Sequence, residues 1–136
     1  MGLAPVPPPP SLSAEERAAF DRGVAEFNAG LFFECHDTLE DLWSGVRGPS
    51  RDFFQGLIQV AVGFHHLGNH NRVGAERLFG RALKRLEGYP GDYAGLDLGA
   101  LRSSVVAWRH RLQFEGVPDT GPVEPPRIRA VSEGSG

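Results

Sequence analysis

Two neighbouring segments of the chain carry side chains that can bind a metal or exchange a proton. They combine imidazole, carboxylate and amide groups with strongly apolar neighbours: Glu34, His36, Glu40, Gln55, Gln59, His66 and Asn69. Polar groups that are held against an apolar core cost free energy unless they find hydrogen-bond partners or a ligand. We therefore take these residues as the candidate polar cluster of the protein.

The spacing of the cluster residues predicts how two helices bring them together. His36 and Glu40 are one helical turn apart, so their side chains leave the same face of a helix. Gln55, Gln59 and His66 fall on a single stripe of the next predicted helix. If the two helices are antiparallel, His36 and Glu40 lie level with Gln59 and His66. We therefore expect the cluster between the second and third helices.

One use of such a cluster is metal binding. Two imidazoles and one carboxylate form an acceptable ligand set for zinc or another divalent cation. His36, Glu40 and His66 are the predicted ligands, and Glu34 is the candidate base toward a metal-bound water. This interpretation makes the protein a metal-dependent hydrolase.

The same residues can also satisfy one another without any ligand. Glu40 can accept a hydrogen bond from His36 or His66, while Gln55 and Gln59 bridge the two helices. The chain has neither the His-Glu-x-x-His nor the Cys-x-x-Cys pattern of common metal sites. We therefore predict a structural or binding role for the cluster, with the hydrolase as the alternative and a small-molecule pocket between the second and third helices as a third hypothesis.

Hydrophobic periodicity predicts five helices and no strand. The predicted helices span residues 14–28, 32–44, 52–67, 72–87 and 98–114. Ser13 and Glu16 form a capping-box pattern before the first helix, and Asp97 is a candidate cap for the last. The third helix is apolar nearly all round, as is typical of a central buried helix. We therefore predict an all-α, compact bundle of about five helices around the 52–67 helix.

Composition divides the chain into one domain and two tails. Residues 1–12 are a Pro-rich lead-in, 13–115 form the helical bundle, and 116–136 are a Pro/Gly/Ser-rich tail. The N-terminal lead-in is predicted to be extended and polyproline-like, and the C-terminal tail to be extended or disordered.

Bulk properties exclude several classes of protein. The 136 residues are 40% hydrophobic with a net charge of −3, which disfavours binding to nucleic acid or to an anionic membrane. The longest apolar run, 57–64, is far shorter than a bilayer span. Cys35 is the only cysteine, which precludes an intrachain disulfide, and its position indicates a small core residue. We expect a soluble cytoplasmic protein without a membrane partner, for which a homo-oligomer is one candidate assembly.

A basic stripe follows one side of the predicted fourth helix. Its members are Arg77, Arg81 and Lys84, with Arg72 and Arg85 nearby. Such a run is typical of a solvated helix face, and an acidic partner or a nucleic-acid backbone is the alternative.

The two polar segments also resemble a known family. The pattern Phe27-Asn-x-Gly-x-Phe-Phe-Glu-x-His-Asp-x-Leu-Glu-x-Leu-Trp, followed by Phe54-Gln-Gly-Leu-Ile-Gln, is similar to the domain of unknown function 309 family. The resemblance implies a compact helical bundle, and members are sometimes labelled predicted metal-dependent hydrolases. The matching polar positions are Glu34, His36, Glu40, Gln55, Gln59 and Asn69. Asp37 stands where relatives often carry glutamate, and the shorter acid has less reach toward a metal.

Overall fold

A computed structural model of the chain describes residues 6–115 and 124–131. Five α-helices follow one another: α1 (Ala14–Asn28), α2 (Phe32–Ser44), α3 (Arg51–Gly68), α4 (Arg72–Leu86) and α5 (Leu98–His110), which a π-helical turn at Arg111–Glu115 extends. The predicted all-α bundle is confirmed. Predictions for residues 1–5, 116–123 and 132–136 lie outside the described residues. No helix in the described ranges combines the length and the apolar composition that a membrane crossing requires.

Local capping explains where the helices begin. The Ser13 hydroxyl accepts from the Glu16 amide at 3.1 Å, and the Glu16 carboxylate accepts from the Ser13 amide at 2.9 Å. This reciprocal pair is the predicted capping box. The Asp97 carboxylate accepts from the amide of Ala100 at 3.0 Å and caps α5 as predicted.

Helix α3 lies at the centre of the bundle. Phe54 packs edge to face on Phe20 of α1 with ring centroids 5.5 Å apart. Phe64 contacts Phe27 of α1 at 6.0 Å and Phe79 of α4 at 4.8 Å. All five rings are almost completely buried, and each burial contributes about 1.5–3 kcal/mol. The central position predicted for this helix is confirmed.

Helices α2 and α4 pack on different sides of α3. On the α2 side, Phe33 lies 5.6 Å from His65, measured between ring centroids, near one end of the pair. At the other end, Arg51 donates to the carbonyl of Trp43 at 3.2 Å, so α2 and α3 are antiparallel. On the α4 side, a Cβ placed on Gly63 would lie only 2.5 Å from Phe79. Helices α3 and α4 therefore approach closely through a glycine.

A short hairpin precedes α5, where the sequence predicted only a loop. Strand β1 (Asp92–Tyr93) pairs antiparallel with β2 (Leu96–Asp97). The turn residues Ala94 and Gly95 have φ of 56° and 80°, as a primed two-residue turn requires. Strands of two residues are too short to show an alternating pattern, which is why the sequence did not reveal them.

Segments from both predicted tails pack on the bundle beside this hairpin. The Tyr93 hydroxyl donates to the Pro8 carbonyl at 2.6 Å. The Asn28 amide binds both backbone groups of Ile128, donating to its carbonyl at 2.9 Å and accepting from its N–H at 2.7 Å. Ile128 is buried.

The Asp97 amide also donates to the Arg129 carbonyl at 2.8 Å, and the Val131 amide donates to the Gly95 carbonyl at 2.9 Å. Part of the predicted C-terminal tail is thus attached to the domain by the Asn28 side chain and by backbone hydrogen bonds.

Candidate functional site

The structure brings two of the predicted metal ligands together on α2. The His36 Nε2 atom lies 2.7 Å from the Glu40 carboxylate, as the one-turn spacing predicted. The other ring nitrogen, Nδ1, lies 3.3 Å from the Asp37 carboxylate. Each ring nitrogen therefore lies beside a carboxylate of the same helix, and a neutral ring, which carries one N–H, can donate to only one of them.

Two further members of the cluster lie where the start of α2 meets the end of α3. Glu34 and Asn69 line a cavity of about 400 Å³. The Asn69 amide contacts His65 Nε2 at 3.3 Å, and the Phe33 ring lies between the rings of His65 and His36, at 5.6 and 5.9 Å. The imidazole that α3 presents to α2 is thus His65.

His66 faces another neighbour. Its Nδ1 atom lies 3.4 Å from the side-chain amide of Asn71, the residue that caps α4. Within residues 6–115 and 124–131, no group of three or more His, Cys, Asp or Glu side chains is arranged to hold a metal ion. The set of His36, Glu40 and His66 stays a prediction, and the structure unites only the first two through a direct contact.

The amide members of the cluster lie in a third place, between α3 and α4. They line a cavity of about 710 Å³ whose wall consists of Asp52, Gln55, Gln59, Arg81, Lys84, Arg85 and Glu87. Gln59 is only 8% exposed, and its Oε1 atom is enclosed without a hydrogen-bond partner. Such an orphaned acceptor is rare in folded proteins. That oxygen has almost no accessible surface, so it is the rest of the Gln59 side chain that forms part of the cavity wall.

The charged residues of this cavity form its exposed rim. Arg85 is held by Asp52 at 2.6 Å. Arg81 and Lys84 have no hydrogen bond or ion pair within the described part of the chain, which leaves two unengaged cations. With Glu87 as the remaining acid, the rim carries an excess of positive charge. Polarity therefore changes from a buried neutral amide on the wall to cations at the mouth.

Cys35 takes no part in any of these sites. Its side chain is fully buried. Burial, reinforced by the negative charge of Glu26, raises the pKa of the Cys35 thiol to about 12. A thiol with such a pKa supplies no nucleophile near neutral pH, in agreement with its predicted role as a core residue.

The sequence analysis did not predict that the polar stripe of α3 faces α4, although the spacing of residues on α3 indicates such a contact. Gly56, Gln59, Gly63 and His66 recur at helical spacing. A Cβ on Gly56 would lie 2.6 Å from Leu86, and one on Gly63 would meet Phe79. Two glycines on one face mark the close approach of another helix. Read in that way, the stripe would have pointed to the basic residues of α4 as neighbours of Gln59.

Comparisons with known proteins agree with the motifs. Residues 20–78 match the family described as Domain of unknown function (DUF309). The uncharacterised protein YpuF of Bacillus subtilis is 35% identical over 82 residues, which cover 57% of this chain and 47% of that protein. An uncharacterised protein of Aquifex aeolicus is 26% identical over 78 residues, covering 57% and 23%. The chain thus spans less than half the length of either relative. The family resemblance that the motifs predicted is confirmed over residues 20–78.

Proposed function

We propose that this protein is a binding domain and that it holds a small polar molecule in the cavity between α3 and α4. The observation that carries the proposal is the lining of this cavity, which combines the side chains of Gln55 and Gln59 with two cations that have no ion-pair partner in the described ranges, Arg81 and Lys84. Amide and cationic groups offer hydrogen-bond donors to a small polar molecule.

The size and lining of the cavity suit such a ligand. Its volume of about 710 Å³ lies within the range of about 300–1,000 Å³ typical of small-molecule sites. Gln55, which is half-buried, offers a second amide beside Gln59. Amides can donate and accept, so they orient a polar ligand without being consumed in a reaction.

The contacts of His36 on α2 favour a binding role for the protein over a role as a hydrolase. His36 already lies beside the carboxylates of Asp37 and Glu40 on its own helix. A role as metal ligand or base would have to compete with these contacts. We further propose a cytoplasmic location, because a single buried free cysteine is consistent with a reducing compartment.

The direct test is NMR spectroscopy of the full chain with ¹⁵N-labelled side-chain amides. A panel of polyols, sugar phosphates and amino acids is titrated, and the resonances of Gln59 and Gln55 are expected to shift and saturate with at least one of them. Gln113, which is exposed and is not among the residues that line the cavity, is the internal control. A panel that leaves Gln59 unmoved, or that moves Gln113 equally, rejects the proposal.

The hydrolase alternative has a separate test. It requires stoichiometric divalent metal in untagged protein purified without chelator, and loss of that metal in the variants His36→Ala and His66→Ala. Elemental analysis of the three proteins decides between the two functions. Metal that is bound in stoichiometric amount and lost in both variants would replace our proposal with the hydrolase.

A further inference from the structure

We infer that Asn28 of α1 and residues 95–97 of the hairpin form a binding site for an extended strand, the strand site, and that its ligand is the tail segment, residues 128–131, of a second copy of this chain. In the structure, the chain fills the strand site with its own tail segment. Neither Asn28 nor Leu96 lines the α3/α4 cavity. The strand site is therefore separate from the site of the proposed function.

The hairpin binds the tail segment through its backbone. The Asp97 amide donates to the Arg129 carbonyl at 2.8 Å, and the Val131 amide donates to the Gly95 carbonyl at 2.9 Å. These bonds pair the segment antiparallel with β2. Addition of an extended segment to the edge of a sheet is a recurring mode of peptide recognition. The hairpin therefore offers a main-chain template that any extended segment of the right register can use.

Asn28 and one apolar contact fix that register. The Asn28 side chain donates to the Ile128 carbonyl at 2.9 Å and accepts from its N–H at 2.7 Å. The Ile128 side chain is 4% exposed and belongs to the hydrophobic core. Its neighbours Arg127, Arg129 and Ala130 are exposed. The strand site thus selects one buried aliphatic side chain and binds the rest of the segment through main-chain atoms.

The helices do not require that the tail segment come from the same chain. They pack on one another directly, α1 on α2, α2 on α3, α3 on α4 and α4 on α5, and β1 pairs with β2 within the hairpin. Pro125 and Pro126 precede the tail segment, and such a pair favours an extended chain without backbone donors. Release of the segment would leave the helices in place and expose the edge of β2, which is a template for pairing with another chain.

The segment that occupies the strand site identifies the partner. Every copy of the chain carries both the strand site and a segment that fits it. Exchange between two copies re-forms the same hydrogen bonds and the same buried isoleucine contact, now between chains. Such swapping of an identical element is a low-cost route to a symmetric dimer. A second copy therefore satisfies the strand site without any new contact.

Two complementary variants of the full chain test the exchange. Ile128→Asp disables the tail segment, because a carboxylate is costly in the core, and leaves the strand site intact. Asn28→Ala weakens the strand site and leaves the tail segment intact. Each variant alone is expected to stay monomeric in sedimentation, whereas an equimolar mixture forms a one-to-one heterodimer. The mixture is expected to associate at least about tenfold more tightly than the wild type, whose own tethered segment competes.

A synthetic peptide of residues 124–131 measures the strand site directly. Calorimetry is expected to show binding to Ile128→Asp, and binding about tenfold weaker to the double variant with Asn28→Ala, which lacks two hydrogen bonds. Ala130→Asp makes the same charge change as Ile128→Asp at the exposed neighbouring position. This matched control is expected to bind the peptide no better than the wild type and to form no heterodimer with Asn28→Ala. Circular dichroism of each variant is expected to match that of the wild type.

The inference fails if the mixture of the two variants stays monomeric, even where the peptide binds, because the ligand is then not a second copy. It also fails if Ala130→Asp behaves like Ile128→Asp, since the buried isoleucine would then not be what the strand site recognises. A loss of helicity in Ile128→Asp would contradict it in another way, by showing that the bundle cannot release its tail segment.

Discussion

The polar face of α2 and the polar wall between α3 and α4 differ in where their polar side chains find partners. On α2, His36 finds Asp37 and Glu40 within its own helix, at 3.3 and 2.7 Å. On the α3/α4 wall, Gln59 depends on a neighbouring helix, and α4 offers its enclosed oxygen no donor. Polar groups that are satisfied within one helix are complete before tertiary packing, whereas groups that face another helix depend on the donors and acceptors that this helix presents.

Packing on α3 explains why Gln59 has no partner. Gly56 and Gly63 lie on either side of it along the helix, where they contact Leu86 and Phe79 of α4. These apolar contacts fix the distance between the helices. Gln59 lies between them along the helix, and no donor of α4 reaches its Oε1 atom. The unpartnered oxygen therefore accompanies the close apolar contacts of the two glycines.

The largest effect is expected from widening this interface. In Gly63→Ala, the new Cβ would lie 2.5 Å from the ring of Phe79, which is fully buried and cannot move freely. Overpacking of this kind costs about 1–3 kcal/mol. We expect the free energy of unfolding in urea to fall by that amount, and the affinity of the cavity for its ligand to fall with it.

Gly68→Ala is the matched control for helix propensity. Gly68 ends the same helix, and a Cβ there has no atom within 4 Å. This variant is expected to be neutral or slightly stabilising, since alanine favours helix more than glycine does. Equal losses of stability in both variants would show that backbone propensity, and not close approach, explains Gly63.

An intermediate effect of opposite sign is expected at Gln59 itself. Gln59→Leu replaces an amide that has an orphaned oxygen with an apolar group of similar size. Removing an unsatisfied buried acceptor stabilises a protein by about 1 kcal/mol, so the variant is expected to unfold at higher urea concentration while losing ligand binding.

Gln55→Leu serves as the comparison for Gln59→Leu. Gln55 lines the same cavity but is only half-buried, and its change is expected to be nearly neutral. A Gln59→Leu protein that is less stable than wild type would mean that this amide holds the helices together. That result would mean that the polar groups of the α3/α4 wall, like those of the α2 face, are satisfied within the protein.

The sequence predicted the helices well because their ends are determined locally. Ser13 and Glu16 cap α1, and Gly30, with φ of 79°, allows the reversal into α2. The pair of His36 and Glu40 was equally predictable, since one helical turn fixes the geometry without reference to the rest of the fold.

The arrangement around α3 was less predictable. That helix is apolar nearly all round, so periodicity does not say which face meets α2 and which meets α4. The sequence analysis placed His66 toward α2, whereas the structure has His65 against Phe33 and His66 against Asn71. The sequence predicts Arg81 to be part of a solvated stripe. Only the packing of α4 on α3 places Arg81 at the cavity that Gln59 also lines.

The smallest effect is expected on the α2 face. Glu40→Gln removes the charged partner of His36 across one helical turn, where the Glu40 side chain is 53% exposed. Pairs of this kind contribute about 0.3–0.5 kcal/mol, so the loss in urea unfolding should be close to that. Asp41→Asn makes the same charge change on α2 at an exposed residue without an ion pair in the described ranges, and is expected to cost less.

A double-mutant cycle of Glu40→Gln with His36→Ala isolates this contact from the general effect of charge on α2. The coupling energy should stay below about 1 kcal/mol, as for an exposed pair, and ligand binding in the α3/α4 cavity should be unchanged in both single variants. A larger coupling energy, or a loss of ligand binding, would show that the α2 face and the cavity act as one site. The polar groups of α2 could then no longer be treated as satisfied within one helix and as separate from the α3/α4 cavity.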